Sequence, residues 1–432
     1  MKQSAKQPKN THIANLVYAL RTLGRWLLCA GVIGVLCGAV GAAFHHGVDL
    51  AAGLRETYPW LLWCLPVLGL GVVAVYRLLR ADGLNTDSVL DAIQTGSGLR
   101  LTLLPAVFVS TLLSHLGGAS VGREGAALQM GGTIGFQTGR LLRLEESDRR
   151  TATMAGMAAL FSALFGTPVG ATVFAMAVVS VGVIQYATLL PCLIASLAAY
   201  GVSLLLHVPP TRFAVAAPEL GLWMLLRVGV LALLSAWLST ALCLTVHAAE
   251  HQARRIQSPW LRVALGGALV VAVSLLAGTD YNGAGMPIIR AAVEEGRAVP
   301  WAFALKLLLT AVSLAAGFRG GEVVPSFFIG ATFGCVVGPL LGIPAGFAAA
   351  VGLIGVFCGA VNCPLASTFL AVELFGAAAL PYFALTCALS YMFSGYAGLY
   401  SSQLFLYGKL KPWPLNIRAN TARELKDRRT DD

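Results

Sequence analysis

Charged side chains are scarce in this sequence. Asp, Glu, Lys and Arg make up 12% of its 432 residues, about half of the ~25% usual for soluble proteins. Hydrophobic residues make up 57%, and apolar stretches close to the length of a membrane span recur along the chain. The composition excludes an ordinary soluble domain and predicts a polytopic membrane protein. The stretches are 26–44, 60–75, 101–116, 186–206, 222–246, 263–277, 301–316, 347–361 and 381–396.

Signatures of metal sites and hydrolytic enzymes are also missing. The nine cysteines lie in or beside apolar stretches without CxxC spacing, and the seven histidines form no HExxH motif. No serine lies in a nucleophile setting such as Gly-x-Ser-Gly. We therefore expect no metal, no cofactor and no enzymatic activity, and we expect the cysteines to serve as small packing residues.

The basic residues do not form the polar face that a nucleic-acid partner would need. Although the net charge is +10, Lys and Arg cluster at alternate ends of the apolar stretches, and the opposite ends carry little beyond Arg55 and Arg212. The positive-inside rule then predicts that both termini are cytoplasmic. Residues 1–25 are expected to form a basic cytoplasmic segment, and residues 411–432 a short tail without a regulatory domain.

Glycine, in contrast, is abundant, with 48 residues, and it permits close helix contact and interrupted helices. The two halves of the chain match weakly at an offset of about 200 residues. This indicates two membrane repeats, 26–205 and 206–410. The matched residues are Gly83 with Gly283, Gly96 with Gly296, Glu124 with Glu322, Pro168 with Pro364 and Thr172 with Thr368.

Glycines precede predicted helix starts at Gly83, Gly122 and Gly321. The first amides of a helix are free to donate hydrogen bonds, and the helix dipole adds positive potential there. Repeated membrane halves with interrupted segments indicate a binding site near the midplane, between the repeats. Together these features predict an anion pathway.

At these residues the chain resembles the CLC family of chloride channels and anion/proton antiporters. Gly122–Gly125 is similar to the family's GREGP motif, Gly321–Pro325 to its GxFxP motif and Gly83–Thr86 to its GSGIP motif. Tyr400 lies in a segment similar to the one with the inner-gate tyrosine. The resemblance extends from Trp26 to Leu410. The anion-site residues that it implies are Gly83, Leu84, Asn85, Gly122, Arg123, Gly125, Gly321, Val323, Val324 and Tyr400.

The resemblance implies an all-α fold of two inverted repeats with Gly-interrupted and re-entrant helices. It also implies a homodimer, embedded in the lipid of a bacterial-type inner membrane, with a separate pore in each subunit. Glu124 would be the gating and proton-coupling glutamate. Its carboxylate would occupy the anion's own site when ionised and leave that site when protonated.

Departures from the family motifs point to one branch. Leu84 replaces a serine that contacts the anion, and Val323 replaces a phenylalanine. Ala177 and Val178 stand where proton-coupled chloride members carry an inner glutamate. The missing serine and the Gly-Gly-Glu-Val start resemble the fluoride/proton antiporter branch, although Val324 stands where its better-known members carry a threonine.

The sequence thus predicts fluoride export coupled to proton import, with halide anions and protons as substrates. Two alternatives stay open, namely a passive chloride or fluoride channel and a chloride/proton exchanger of the same fold. Glu322 is predicted to carry protons in place of the missing inner glutamate, or else to complement the dipole of its helix. For Arg123, the alternative to an anion-binding role is structural pairing with another side chain. For Tyr400, the alternative to an inner gate is an aromatic residue at the membrane interface.

Overall fold

The structure is a computed structural model in which residues 11–411 and 413–420 are described. The predicted terminal segments 1–25 and 411–432 therefore lie partly outside the described residues. Helix α1 begins at Thr11 and runs unbroken into the first apolar stretch. The helices are α1 Thr11–Thr57, α2 Leu65–Leu78, α3 Thr86–Thr95, α4 Leu103–Gly117, α5 Glu124–Leu141, α6 Glu146–Phe165, α7 Pro168–Ala177, α8 Leu189–Leu205, α9 Leu222–Ala253, α10 Pro259–Ala277, α11 Met286–Glu294, α12 Ala302–Ala316, α13 Val323–Val337, α14 Ala345–Val361, α15 Pro364–Phe375 and α16 Leu380–Phe393.

The helices α3 to α8 and α11 to α16 follow the same order and similar spacing in the two halves. Gly83 and Gly283 precede α3 and α11 with φ values of 76° and 59°, and Gly96 and Gly296 follow them with φ values of 76° and 64°. Glycine favours this left-handed backbone because it has no Cβ. The matched glycines of the sequence are therefore equivalent backbone positions of the two repeats.

The two repeats meet at a short antiparallel bridge between Gly122 and Gly321. The Gly122 N–H donates to the Gly321 carbonyl at 2.7 Å, and the Gly321 N–H donates to the Gly122 carbonyl at 2.8 Å. Helices α5 and α13 both begin immediately after this bridge. Their N-terminal amides are therefore brought side by side.

This bridge corrects one predicted correspondence. Arg123 is the N-cap of α5 and Glu322 is the N-cap of α13. Glu322 is therefore equivalent to Arg123, and Glu124 is equivalent to Val323. The predicted match of Glu124 with Glu322 is wrong by one residue. One residue is a rotation of about 100° around a helix, so the two carboxylates leave their helices in different directions.

Six helical segments within the described residues are long and apolar enough to cross a membrane. Four other predicted stretches, beginning near 101, 301, 347 and 381, form helices of 15, 15, 17 and 14 residues, shorter than the ~20 residues that a full span takes. The six segments are Asn15–Thr57, Pro59–Leu78, Tyr186–Leu205, Leu222–Ala253, Pro259–Ala277 and Val323–Leu341.

The interior is formed by α5 packed on α6 and by α13 packed on α14. The backbones approach so closely that a Cβ at Gly131 would overlap the Gly156 carbonyl. Small residues allow such contact between membrane helices. The starts of α5 and α13 are consequently held inside the protein rather than against lipid.

A small three-stranded sheet is the one departure from the all-α expectation within 11–411 and 413–420. Its strands are β1 Ser180–Val181, β2 Leu404–Tyr407 and β3 Pro414–Arg418. β1 pairs with β2 in parallel, and β2 pairs with β3 antiparallel. The sheet ties the segment that follows Tyr400 to the connection between α7 and α8 in the first repeat.

Candidate anion site

Glu124 is the first residue of α5, and its side chain is fully buried. Oε2 accepts a hydrogen bond from the Arg123 N–H at 3.0 Å and another from the Val324 N–H at 3.2 Å. Oε1 has no partner within the described residues. The carboxylate therefore accepts an amide from each of the two helix starts, the position that an anion at these amides would occupy.

Glycine at positions 122 and 125 leaves the space in which this arrangement fits. A Cβ at Gly122 would run into the Glu124 carboxylate, and a Cβ at Gly125 would lie 3.0 Å from the Gly321 Cα. Glycine at 122 therefore leaves room for the Glu124 carboxylate, and glycine at 125 permits the close approach of the two backbones.

Glu322 lies beside the same bridge but in a different environment. Its side chain is partly buried, and Oε2 has no hydrogen-bond partner among the described residues. This oxygen faces the first turn of α5, since a Cβ at Gly125 would lie 3.3 Å from it. The neighbouring Val323 and Val324 side chains are buried and apolar. The structure thus brings both predicted acidic residues to one place, with Glu124 Oε2 held by two amides and Glu322 held by no such pair within the described chain.

Tyr400 is almost fully buried, with 2% of its surface exposed, and its hydroxyl has no partner in the part of the chain that the structure describes. Its backbone is held on both sides. The Leu399 N–H donates to the Ala360 carbonyl at 2.9 Å, and the Ser402 N–H donates to Asp87 Oδ1 at 2.8 Å. The Asp87 carboxyl that accepts this bond is itself partly buried, and burial raises its pKa above the ordinary value. A buried hydroxyl is unlike that of an interfacial tyrosine, whose polar end meets water.

The start of α3 supplies backbone and capping contacts. Asn85 is exposed, and its Oδ1 accepts the Ser88 N–H at 3.1 Å as the N-cap of α3. The Leu84 carbonyl accepts Arg319 Nη1 at 3.4 Å, and Gly83 precedes both in a left-handed conformation. The side-chain oxygen of Asn85 therefore caps α3. A contact between an anion and Leu84 or Asn85 stays a prediction.

Two further buried polar residues lie on α5 and α12. Gln129 was not identified from the sequence, whereas the apolar context of Lys306 predicts snorkelling or a structural pair. Gln129, on α5, donates to Thr86 Oγ1 at 3.1 Å, and its Oε1 has no partner within the described chain. Lys306, on α12, is fully buried and donates to the carbonyls of Tyr281 at 3.0 Å and Gly283 at 2.6 Å. The available signal was a single polar residue within an apolar or glycine-rich helix.

A cavity of about 830 Å³ opens beside the start of α5, and we call it the vestibule. The Arg123 side chain lines it and contacts His45 and Asp49 of α1. The pairing alternative for Arg123 thus has a structural basis. Within 11–411 and 413–420, no group of three His, Cys, Asp or Glu side chains is placed to hold a metal ion. Charged and histidine residues around the vestibule are His45, Asp49, Arg55, Glu56, His115, Arg123, Asp280 and Arg290.

Inverted helical repeats whose helix starts meet at a buried carboxylate define a membrane protein for halide transport. Residues 71–395 match the family model described as voltage gated chloride channel, and the chain belongs to that family, the CLC proteins.

Characterised and solved relatives place the chain within this family. A "Chloride/fluoride channel protein" of Pseudomonas syringae pv. tomato is 35% identical over 415 residues, which cover 93% of this chain and 91% of the relative. An "H(+)/Cl(-) exchange transporter ClcA" of Yersinia pestis bv. Antiqua is 26% identical over 385 residues, covering 81% of this chain and 80% of the relative.

Two crystal structures show the same fold. A CLC-type fluoride/proton antiporter superimposes with a TM-score of 0.85 at 32% identity, covering 89% of this chain and 98% of that one. A slow cyanobacterial Cl⁻/H⁺ antiporter gives a TM-score of 0.74 at 18% identity, covering 86% and 94%. The second comparison concerns the fold alone.

Proposed function

We propose that this protein exports fluoride in exchange for protons through a pore in each subunit of a homodimer, with both termini in the cytoplasm of a bacterial-type cell. The observation that carries the proposal is the position of Glu124, whose Oε2 accepts amides from both helix starts. An anion that binds these amides must displace the carboxylate. The displaced Glu124 is then free to take up a proton, so anion binding at these amides is coupled to protonation of Glu124.

The choice of fluoride rests on the site's composition and on its relatives. Leu84 and Val324 bring no hydroxyl to the site, which leaves backbone N–H groups as the donors at the two helix starts. Such amides are fixed in place and are aided by the helix dipoles. The 32% identity to a fluoride/proton antiporter, against 18% to a chloride/proton antiporter, supports the same choice.

Glu322 serves in this proposal as the second proton carrier. Its unpartnered Oε2 lies beside the bridge where the anion binds. An ionised carboxylate there would repel the anion, whereas a protonated one would not. Ala177 and Val178 offer no titratable group where chloride exchangers carry their inner glutamate, so Glu322 supplies the group that this chain otherwise lacks.

A passive channel is the second candidate. A relative at 35% identity is named a channel protein, and a gating glutamate at Glu124 is compatible with either mechanism. The two candidates differ in energetics, because only an exchanger moves protons against their gradient when a halide gradient drives it.

Purified protein in liposomes tests the proposal directly. Vesicles loaded with fluoride are diluted into fluoride-free buffer at equal pH, and fluoride efflux and internal pH are followed together. Matched vesicles loaded with chloride measure selectivity, and protein-free vesicles correct for leak. We expect fluoride efflux to acidify the interior against the developing proton gradient. Fluoride efflux without proton uptake would establish the channel, and preferential chloride efflux would remove fluoride as the substrate.

A further inference from the structure

Three side chains contact one another where α1 meets the start of α5 at the vestibule wall. Arg123 Nη1 lies 2.7 Å from His45 Nδ1 and 3.4 Å from Asp49 Oδ1, and His45 Nε2 lies 3.0 Å from Asp49 Oδ2. The His45 and Arg123 side chains are 7% and 11% exposed, whereas that of Asp49 is 58% exposed. Two largely buried groups are thus joined to one that meets solvent.

The contacts determine the protonation state of His45. An arginine side chain has donors only, so the His45 Nδ1 facing Arg123 must accept and therefore carries no proton. The other ring nitrogen then carries the proton and donates it to Asp49 Oδ2. His45 is accordingly neutral in this arrangement, with both ring nitrogens in use.

Arg123 links this group to the anion site. Its side chain is held by α1, while its backbone N–H donates to Glu124 Oε2 at 3.0 Å. It is also the N-cap of α5. A change in the contacts of the Arg123 side chain therefore affects the residue that directly precedes Glu124.

We propose that His45 and Asp49 are positioning residues that hold Arg123 against α1, and that protonation of His45 from the vestibule releases its guanidinium toward the anion path. A protonated His45 has no acceptor for Arg123. The imidazolium and the guanidinium then share Asp49 as two cations on one carboxylate, and Arg123 keeps only the 3.4 Å contact. The freed guanidinium attracts anions in the vestibule. These anions then compete with Glu124 for the amides of the two helix starts. The link to transport rests on the proposed exchange.

Other titratable groups near His45 are accounted for. The ring of His46 lies 5.4 Å from that of His45 at 71°, but its own Nε2 contacts the Leu206 carbonyl at 2.9 Å. His46 is exposed and makes no contact with Arg123 in the described structure. It is therefore a matched control. The remaining groups that face the vestibule are Arg55 and Glu56 at the end of α1, His115 on α4, Asp280 before α11 and Arg290 on α11.

The test compares His45→Gln with His46→Gln in liposomes held at the same pH on both sides, so that protein orientation is immaterial. Gln at 45 keeps an acceptor for Arg123 but cannot be protonated in this range. Burial and the adjacent Arg123 disfavour the imidazolium of His45, so fluoride efflux is measured from about pH 8 down to about pH 4, with protein-free vesicles as the leak control. We expect His45→Gln to match wild type near pH 8 and to fall about threefold below it near pH 4, the size of one weak charged contact. His46→Gln should follow wild type throughout.

Two results would overturn the proposal: a wild-type pH profile in His45→Gln, or an equal loss of the acid-side change in His46→Gln. Asp49→Asn gives a second measure, because it removes the charge that favours the imidazolium and should move the acid-side change to lower pH. An unmoved profile would remove Asp49 from the proposal.

Histidine NMR of the full-length protein separates this proposal from the proposed function. His45→Gln assigns the His45 signal, and Arg123→Gln should let His45 protonate at higher pH, since the competing cation is gone. That result holds whether or not fluoride is transported. An unchanged His45 signal in Arg123→Gln would show that Arg123 does not control its protonation.

Discussion

Each of the two carboxylates has one oxygen without a partner among the described residues, but Glu124 Oε2 accepts an N–H group from each helix start, whereas no such pair of N–H groups reaches Glu322. The two helix starts are bonded to each other and share a backbone arrangement. They differ in the position of the acidic residue, which is the first helical residue in α5 and the N-cap in α13. A shift of one residue thus places one carboxylate on the anion's amides and the other beside them.

The difference assigns separate tasks within one site. A carboxylate that accepts amides is a competitor of the anion. A partly buried carboxylate that no pair of amides holds is costly in its ionised form and is suited to carry a proton. Each prediction below tests one part of this contrast.

Replacing Glu124 by Gln should have the largest effect. Gln has no carboxylate that can take up and release a proton, so proton uptake during fluoride efflux should fall to the level of protein-free liposomes. Parallel recordings of fluoride and internal pH measure the coupling. Retention of wild-type coupling would mean that Glu124 is not the group where anion and proton compete.

Replacing Glu322 by Gln should slow fluoride/proton exchange about tenfold, equivalent to ~1.4 kcal/mol of activation free energy. The control is Glu145→Gln, since Glu145 is an exposed N-cap whose side chain makes no capping hydrogen bond. Exchange rates per protein are compared in the same liposome assay. Similar mild effects in both variants would assign Glu322 to its helix dipole alone.

Removing the Tyr400 hydroxyl tests whether this buried, unpartnered hydroxyl takes part in transport. Tyr400→Phe should lower fluoride transport about threefold without loss of stability, because no hydrogen bond is lost in the protein. Tyr382→Phe is the control. The Tyr382 hydroxyl donates to the Glu219 carbonyl at 2.6 Å, so its loss should destabilise the fold by about 1 kcal/mol.

Thermal unfolding in detergent, read beside transport, separates the two tyrosine variants. Destabilisation by Tyr400→Phe with unchanged transport would make Tyr400 a structural residue.

The smallest effect is expected at the third helix start. Leu84→Ser adds a hydroxyl that the site lacks and should raise chloride efflux relative to fluoride by about twofold, or ~0.4 kcal/mol, slightly less than the ~0.5–1.5 kcal/mol of one hydrogen bond. Leu84→Ala is the control, since it removes the same bulk without adding a donor. An equal change in both variants would attribute selectivity to space rather than to the hydroxyl.

Much of the architecture could be predicted from the sequence. Low charge and recurrent apolar stretches indicated a polytopic membrane protein, and the family match and the superimposed structures confirm it. The offset of about 200 residues matched Gly83 and Gly96 with Gly283 and Gly296, and the structure gives the reason, since all four adopt a left-handed backbone that favours glycine. The predicted boundaries of the two repeats, and the roles of the site residues, stay predictions.

Which residue of the second repeat is equivalent to Glu124 could not be predicted from the sequence in the same way. Both Glu124 and Glu322 follow glycines before an apolar helix, so sequence spacing alone aligned them. The bridge between Gly122 and Gly321 decides the register, and it is a hydrogen-bonded contact between segments far apart in the chain. The contact of His45 with Arg123 is equally long-range.

Composition and local pattern determined that this chain crosses a membrane repeatedly and begins several helices with free amides near acidic residues. These properties follow from hydrophobicity and from backbone preferences, which act over neighbouring residues. Only the tertiary structure decided that the Glu124 carboxylate folds onto amides of both halves, that Glu322 lies beside them, and that neutral His45 holds Arg123. Each depends on hydrogen bonds between distant segments, whose distances and directions arise only when the two repeats pack together.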